Sequence, residues 1–233
     1  MIAVVAAQNE AVEIGATLAA LREAFPLASL WVADDGSSDA TAAIARAAEA
    51  TVVRGEVRSG KGFAMTRAVG EALDRCAAGA SGEPNAHDGS DPVLLLCDGD
   101  LGTSAARLAP LVRAVQGGDA DLAVAAFAKR EGGGFGIAVG FARWAIRRRC
   151  GFHANAPLSG QRAMPASRAR GLLPFADGYG MELDMTIDAV RRGLRVREIE
   201  LDLSHRVSGR IPAGFLHRGR QLLDCVRVYL ATR

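Results

Sequence analysis

The sequence is poor in cysteine and has neither a long apolar run nor a large excess of either charge. The four cysteines are widely spaced, at Cys76, Cys97, Cys150 and Cys225. They form no C-x-x-C pair, which disfavours a zinc site and a disulfide framework, so we expect reduced thiols in the cytoplasm. The longest mostly apolar stretch, residues 136–146, is interrupted by Arg143 and is too short to span a bilayer.

The N-terminal apolar run has no basic residues before it, which favours a strand over a signal peptide. The chain carries 28 basic and 26 acidic residues, a net charge of +2, and this balance excludes a nucleic-acid partner held by a basic surface. The 233 residues, 49% of them hydrophobic, suffice for one well-buried domain. Because no linker or internal repeat is visible, we predict a single domain over residues 1–233.

Apolar, β-branched runs alternate with segments of helical periodicity over most of the chain. The pattern predicts strands at residues 1–7, 30–33, 51–54, 93–97, 121–127, 158–164 and 196–203. It predicts helices from Asn9 to Phe25, at 39–49 with Ser38 as N-cap, at 61–76, after an N-cap at Ser104, and at 141–149, 179–192 and 215–230. Residues 77–91 and 129–140 are predicted loops. Strands alternating with helices indicate an α/β fold with a mostly parallel central sheet, less regular after residue 140.

Polar clusters follow several of the predicted strands. Gln8-Asn9-Glu10 follows the first strand, Asp34-Asp35 the second and Asp98-Gly99-Asp100 the fourth, while Lys61 lies slightly beyond the third. Ligands bind at the carboxyl ends of parallel strands, so we expect these clusters to meet at one edge of the sheet.

Asp98 and Asp100 are separated only by Gly99. Residues i and i+2 of an extended chain point the same way, so both carboxylates can face one cleft. Two like charges this close repel each other unless a cation joins them. Mg²⁺ or Mn²⁺, held by one or two carboxylates and by substrate phosphates, would meet this requirement. The alternative is an ordinary polar junction between a strand and a loop.

Asp34 and Asp35 are neighbours, so in an extended chain their side chains point to opposite sides. One can reach a ligand, for example by accepting an N–H from a nucleobase, while the other is free to bind loop amides near Gly36. The alternative is a turn that only caps the following helix.

Four stretches, in this order, resemble successive signatures of family 2 glycosyltransferases: VVAAQNEAVEIGATL, WVADDGSSDATAAIA, RSGKGFAMTRAV and LLLCDGDLG. SGQRAMPAS and MELDMTIDAVRRGLRVREIEL are similar to the acceptor half of that family, which includes dolichol-phosphate mannose synthases and glucosyl-3-phosphoglycerate synthases. The resemblance implies the GT-A fold and metal-dependent, inverting transfer of a sugar from a UDP- or GDP-sugar. It also implies a nucleotide-sugar-binding half, residues 1–102, and an acceptor half, residues 103–233.

The same resemblance implies roles for individual residues. Asp35 would contact the base, Asp98 would hold the ribose or a metal-bound water, and Asp100 would be the direct metal ligand. The other implied contacts to the nucleotide-sugar are Ala6, Ala7, Glu10, Arg58 and Lys61. Of these, the two basic residues would approach the diphosphate or the rim of the base. The family commonly has proline where this chain has alanine at position 6, which loosens the edge of the pocket.

The leaving diphosphate develops negative charge, which a bridging metal and nearby basic side chains would stabilise. A hydroxyl acceptor must also lose a proton to a carboxylate, and Glu182 and Asp184 are the candidates. They are about 200° apart on a helix, so we expect only one to face the site, and the family's acceptor motif favours Glu182. The alternative is a helix N-terminus enriched in acidic residues. A lipid-phosphate acceptor is already anionic and needs no base.

The segment after the last predicted strand is basic. His205 is a candidate second protein ligand to the metal, and Arg206 and Arg210 are candidates for binding a phosphate of the donor or acceptor. The final basic helix, with Leu223 and Leu230 on its apolar face, leaves open three uses: peripheral contact with the inner face of a membrane, contact with a partner, or exposure to solvent. A homodimer is one candidate assembly. The acceptor is therefore either a small molecule or a polyprenyl phosphate.

Three other classes of protein fit the pattern less well. A Rossmann dehydrogenase is excluded because no G-x-G-x-x-G follows the first strand. A P-loop nucleotidase is excluded because Gly60-Lys61-Gly62 lacks both the upstream glycine and the following Ser or Thr. A nucleotide-binding regulator that has lost transfer activity remains an alternative, although the acidic and basic candidates above are all retained.

Overall fold

The computed structural model describes residues 1–80, 91–127, 136–203 and 212–231, with the backbone alone for residues 79–80, 179 and 212–220. The strands are β1 Ile2–Ala7, β2 Ser29–Asp34, β3 Thr51–Arg54, β4 Val93–Asp98, β5 Leu122–Phe127, β6 Arg162–Pro165 and β7 Val196–Leu201. The helices are α1 Ile14–Ala24, α2 Thr41–Ala47, α3 Lys61–Ala80, α4 Ala109–Gln116, α5 Ile137–Cys150, α6 Ala166–Gly171, α7 Met181–Arg191 and α8 Pro212–Ala231.

The described strands form one sheet in the order β3-β2-β1-β4-β6-β5-β7. All neighbouring pairs are parallel except those of β6, which runs antiparallel to both β4 and β5. The predicted α/β fold with a mostly parallel, helix-flanked sheet is therefore confirmed. The alternation of strands and helices along the sequence did not predict that β6 lies antiparallel between β4 and β5.

The core has one layer on each face of the sheet. Successive residues of β1 point to opposite faces. Ala3 and Val5 pack with α1 and α4, whereas Ile2 and Val4 pack with α3 and α7. A third apolar cluster joins α5, α7 and α8. Both faces of the central strands are thus covered, which explains why those strands are continuous apolar runs rather than alternating ones.

Two predicted N-caps are wrong. Ser38 does not cap α2, because Asp39 Oδ1 accepts the amide of Thr41 at 2.9 Å and the Ser38 amide donates to Asn9 Oδ1 at 2.8 Å. Ser104 lies inside a 3₁₀ helix, and its hydroxyl donates to the Leu101 carbonyl at 2.7 Å. At α2 the side chain of Asp39 takes the place of the predicted cap, whereas Ser104 lies within its helix and its hydroxyl bonds back to the carbonyl three residues earlier.

Several boundaries also differ from the prediction. Asn9 adopts a left-handed backbone with φ of 58°, which delays the start of α1 to Ile14. Helix α3 continues to Ala80, into the predicted loop 77–91, and α5 begins at Ile137 within the predicted loop 129–140. Strand β6 is shorter than the predicted 158–164, and α6 follows it without having been predicted. Among the described residues, no helix is long and apolar enough to cross a membrane.

Two glycines of α3 have opposite surroundings. A Cβ on Gly62 would lie 1.9 Å from the carbonyl oxygen of Ala176, whereas a Cβ on Gly70 would meet no atom within 4 Å. The segment before α7 also donates the Phe175 amide to Thr66 Oγ1 at 2.9 Å. The start of α3 therefore approaches this segment closely, backbone against backbone.

Replacement of each glycine by alanine is expected to change stability in opposite directions. Gly62→Ala forces α3 away from Ala176 and should lower the free energy of unfolding by about 1–3 kcal/mol, as overpacking does. Gly70→Ala should raise it by up to about 1 kcal/mol, because alanine loses less backbone entropy in a helix. Urea unfolding followed by circular dichroism measures both. Equal effects of the two substitutions would contradict the close approach at Gly62.

Candidate active site

The ends of three parallel strands bring the predicted polar clusters together. Ala7 of β1 is in register with Asp34 of β2, and Ala6 is in register with Asp98 of β4. Just beyond the strands, the Asp35 amide donates to the Ala7 carbonyl at 3.0 Å, and the Gly99 amide donates to the Ala6 carbonyl at 2.9 Å. The predicted convergence at one edge of the sheet is confirmed.

Strand β6 adds residues to the same edge because it runs in the opposite direction. Its first residue, Arg162, pairs with Leu96 near the end of β4. The residues that lead into β6 therefore lie beside the carboxyl end of β4, next to Asp98. Gln161, about 60 positions after Asp98 in the sequence, thus reaches the site from the opposite strand direction.

The side chain of Lys61 lies at the centre of the site. Its Nζ donates to Asp98 Oδ1 and to Glu182 Oε1, each at 2.7 Å. The side chains are 22% exposed for Lys61 and 4% exposed for Glu182. Burial opposes the charge on the ammonium, but the negative charges of Asp98 and Glu182 outweigh it and raise the pKa of Lys61 above its ordinary value. Lys61 therefore stays protonated over the whole physiological range of pH.

The second oxygen of Asp98 is held from β6. Gln161 Nε2 donates to Asp98 Oδ2 at 2.8 Å, and the Ser159 hydroxyl donates to Gln161 Oε1 at 3.0 Å. Gly160 lies between these two residues, and a Cβ on it would lie 2.6 Å from Asp98 Oδ2 and 2.7 Å from Lys61 Nζ. Only glycine fits at this position without displacing the charged pair.

Arg162 is completely buried and joins the segment before β6 to α7. Its Nε donates to the Ser159 carbonyl at 2.8 Å and its Nη1 to Thr186 Oγ1 at 3.0 Å. Thr186 in turn donates to the Glu182 carbonyl at 2.9 Å. Burial lowers the pKa of Arg162 to about 10, and the nearby charges of Glu182 and Glu198 oppose that shift. Within the described part of the chain, its Nη2 has no hydrogen-bond partner.

The adjacent carboxylates after β2 bind different parts of the chain. Asp34 is fully buried, accepts the Ser37 amide at 2.9 Å and lies 3.3 Å from Arg54 Nε. Asp35 Oδ1 accepts the amides of Ser59 at 2.7 Å and Gly60 at 2.9 Å. Because these amides immediately precede α3, Asp35 fixes the start of the helix that carries Lys61. A carboxylate has further lone pairs, so the predicted contact to a nucleobase stays a prediction.

The other predicted site residues lie as follows. Arg58 is exposed, with its Nε 3.9 Å from Asp35 Oδ2. The Glu10 amide donates to Thr41 Oγ1 at 2.8 Å. Asp100 and Asp184 are half-buried, and of the two acidic residues at the start of α7 it is Glu182 that contacts Lys61. His205, Arg206 and Arg210 lie outside the described residues.

The donor atoms at this edge suit a hard divalent cation that is completed by its substrate. The described residues include no group of three or more His, Cys, Asp or Glu side chains able to hold a metal by themselves. Asp98 already accepts from Lys61 and Gln161. Asp100, half-buried just past β4, is the carboxylate that fits Mg²⁺ or Mn²⁺, since such ions are often bound by one or two carboxylates plus substrate phosphates.

Sequence reasoning missed four residues of the site: Gly160, Gln161, Arg162 and Thr186. A local signal did exist, because a glycine followed by two long polar side chains, the second of them the first residue of β6, precedes the apolar residues of that strand. Its meaning depends on the antiparallel insertion of β6 beside β4, which the sequence pattern did not indicate.

Comparison with known proteins identifies the family. The model of glycosyl transferase family 2 matches residues 2–158, about two thirds of the chain. No match was found among curated protein sequences.

Three of the similar solved structures are of glucosyl-3-phosphoglycerate synthase from Mycobacterium tuberculosis. One, with phosphoglyceric acid, is 24% identical with a TM-score of 0.72 and covers 99% of this chain and 78% of that chain. At this level of identity the comparison shows a common fold and not a common function. A second, with Mn²⁺, UDP and glucosyl-3-phosphoglycerate, is 26% identical, with a TM-score of 0.71 and the same coverage. A third, with Mn²⁺, UDP-glucose and phosphoglyceric acid, is 25% identical with a TM-score of 0.70, covering 98% of this chain and 79% of that chain.

The family match spans the first four resembling stretches, from VVAAQNEAVEIGATL to LLLCDGDLG, and the neighbours share the fold along nearly the whole chain. The chain belongs to glycosyltransferase family 2.

Proposed function

We propose that the chain transfers a hexose from a UDP-sugar to a hydroxyl group of a small anionic acceptor, with Mg²⁺ or Mn²⁺ bound at the diphosphate. The observation that carries this proposal is the protonated Lys61, held between two carboxylates at the carboxyl edge of the sheet. The choice of donor and acceptor is supported by the similar synthase, which has been crystallised with UDP-glucose, Mn²⁺ and phosphoglyceric acid, and also with Mg²⁺ and UDP.

Different side chains at the edge of the sheet would stabilise a leaving diphosphate in different ways. Asp100 would hold the divalent ion, which would supply Lewis-acid stabilisation of the phosphate charge. An ammonium has three N–H donors, and Lys61 uses two of them on Asp98 and Glu182. The third can donate to a phosphate or sugar oxygen. Because the flanking carboxylates fix the ammonium in advance, little reorganisation is needed when charge develops.

Glu182 has two roles open to it. As a general base it would accept the proton of the acceptor hydroxyl, as the resemblance implies. In the structure, however, its carboxylate is 4% exposed and paired with Lys61, so an acceptor reaches it only by entering next to that ammonium. Its second role is to hold Lys61 in place. The two roles make different predictions for different acceptors.

A polyprenyl phosphate is the second candidate acceptor, and exposed apolar side chains favour it. Ile137 and Trp144 are exposed on α5, as are Leu223 and Leu230 on α8. Exposed arginines lie further along α5, at the end of the Ile137–Cys150 helix. Apolar and cationic side chains together suit the surface of an anionic membrane, where such an acceptor would be found.

The inactive nucleotide-binding regulator is the weaker alternative. The described site keeps a largely buried lysine between two acidic side chains and a further carboxylate, Asp100, just past β4, groups that a protein binding a nucleotide without turnover does not need. Release of UDP from a UDP-sugar in the presence of an acceptor separates the two functions directly.

Asp100→Asn should weaken the binding of UDP in the presence of Mn²⁺ by at least about a hundredfold. Loss of a metal ligand removes several kcal/mol of charge stabilisation. Isothermal titration of UDP, with Mn²⁺ and again with EDTA, measures the difference. Asp119→Asn is the matched control, because Asp119 is exposed and 3.8 Å from Arg197. If Asp100→Asn keeps the Mn²⁺ dependence of the wild type, Asp100 is not the ligand.

Glu182→Gln should distinguish the acceptors. On a hydroxyl acceptor the rate should fall by about 10²-fold or more, because a positioned base contributes roughly 10²- to 10⁴-fold. On a polyprenyl phosphate the loss should be much smaller, since that nucleophile is already charged. Initial rates with 3-phosphoglycerate and with a polyprenyl phosphate, both at saturating UDP-glucose, give the comparison. Equal losses on both acceptors would assign Glu182 to holding Lys61 rather than to proton transfer.

The product of the reaction should have an inverted anomeric centre, as the resemblance to inverting enzymes implies. Transfer from a UDP-α-linked sugar then gives a β-linked product. Proton NMR of the freshly formed product reads the configuration from the coupling of its anomeric proton. An α-linked product would show that the family resemblance has been carried too far on this point.

A further inference from the structure

The residues leading into β6 form a chain of hydrogen bonds to the Lys61 ammonium. The Ser159 hydroxyl donates to the Gln161 side-chain carbonyl at 3.0 Å, and the Gln161 amide donates to Asp98 Oδ2 at 2.8 Å. Asp98 Oδ1 then accepts from Lys61 Nζ at 2.7 Å. The four side chains come from three separate elements and touch one another in sequence.

Each of these hydrogen bonds can have only one direction from donor to acceptor. An ionised carboxylate accepts hydrogen bonds and donates none, so Gln161 must present its NH₂ group to Asp98. The amide oxygen then faces Ser159, which alone of the two can donate a proton to it. Ser159 and Gln161 are 6% and 2% exposed, so a flipped amide would leave buried polar atoms unsatisfied.

The fixed direction of these hydrogen bonds determines the position of the Lys61 ammonium. With Oδ2 engaged by Gln161, Asp98 presents Oδ1 to Lys61, and Glu182 fixes the ammonium from the other side. Gly160 allows this approach, since a Cβ there would lie 2.7 Å from Lys61 Nζ. Arg162 also stabilises this segment, because its Nε donates to the Ser159 carbonyl.

We propose that Gln161 is a positioning residue for sugar transfer, acting through Asp98 on Lys61, and that Ser159 sets the orientation of the Gln161 amide. The assignment of Lys61 to the donor diphosphate rests on the proposed function. The placement of the ammonium by Gln161 does not, and it is tested without turnover.

The kinetic test is a cycle of two substitutions. Gln161→Met keeps the volume but removes the donor to a charged group, and should lower kcat/KM by roughly 10- to 100-fold. Ser159→Ala should lower it by roughly 2- to 10-fold, as for a neutral hydrogen bond. If Ser159 acts through Gln161, then Ser159→Ala should have no further effect in the Gln161→Met background. Gln116→Met, at the exposed end of α4, is the control and should leave kcat/KM unchanged.

The second test observes the ammonium itself. The sequence has only two lysines, Lys61 and Lys129, so a protein labelled with ¹⁵N at lysine Nζ gives a spectrum that Lys61→Arg assigns. A largely buried ammonium that donates to two carboxylates exchanges its protons slowly enough to be seen. Gln161→Met and Ser159→Ala should each shift or broaden the Lys61 signal, whereas Gln116→Met should leave it unchanged.

The outcomes separate this proposal from the proposed function. An unchanged Lys61 signal in both variants overturns the positioning role, and additive losses in the double variant overturn the role of Ser159. A changed signal in a protein whose wild type transfers no sugar would support the placement of Lys61 while the proposed function fails. If Gln161→Met does not fold, the Lys61 signal of Ser159→Ala decides alone.

Discussion

A buried positive charge between two negative ones is the interaction on which this site depends. Lys61 is the first residue of α3, where the partial positive charge of the helix end disfavours a cation. It is also largely buried. Both effects oppose its charge, and two carboxylates at 2.7 Å overcome them. Removal of either carboxylate would leave the ammonium with a single charged partner in a poorly hydrated place, and its burial would then be less well compensated.

Backbone contacts around the site bring Lys61 and Glu182 together. Asp35 accepts the amides just before α3 and thereby fixes where the helix begins. Gly62 lets α3 approach the segment that precedes α7, the helix that carries Glu182. Gly178 and Gly180 of that segment in turn contact Asp224 and Val228 of α8 so closely that a Cβ would not fit. The charged cluster and the tight backbone contacts are therefore parts of one arrangement.

The parts of the site that could be predicted from sequence lie at the ends of parallel strands. Asp35 and Asp98 come directly after apolar runs and Lys61 lies slightly beyond the third strand, so the shared edge of parallel strands predicts that they meet. Glu182 was identified from its place in a motif, and its contact with Lys61 could not be read from spacing across more than a hundred residues. Gln161 and Arg162 were missed because β6 pairs antiparallel with β4, a long-range choice that leaves the local pattern unchanged. The predicted caps are wrong for local reasons: Asp39 rather than Ser38 accepts the amide at the start of α2, and Ser104 lies inside a 3₁₀ helix, where its hydroxyl donates to the Leu101 carbonyl.

The position of β6 in the sheet has a consequence for how the protein is made. Strand β4 ends at residue 98, but its neighbour on one side is not synthesised until residue 162. Until then a nascent chain leaves the backbone N–H and C=O groups on this edge of β4 unpaired, and Asp98 lacks its Gln161 partner. The candidate site at this edge thus cannot mature with the first half of the polypeptide. Its completion waits for a loop closure of more than sixty residues, a slow, non-local step that couples assembly of this edge to folding of the entire sheet.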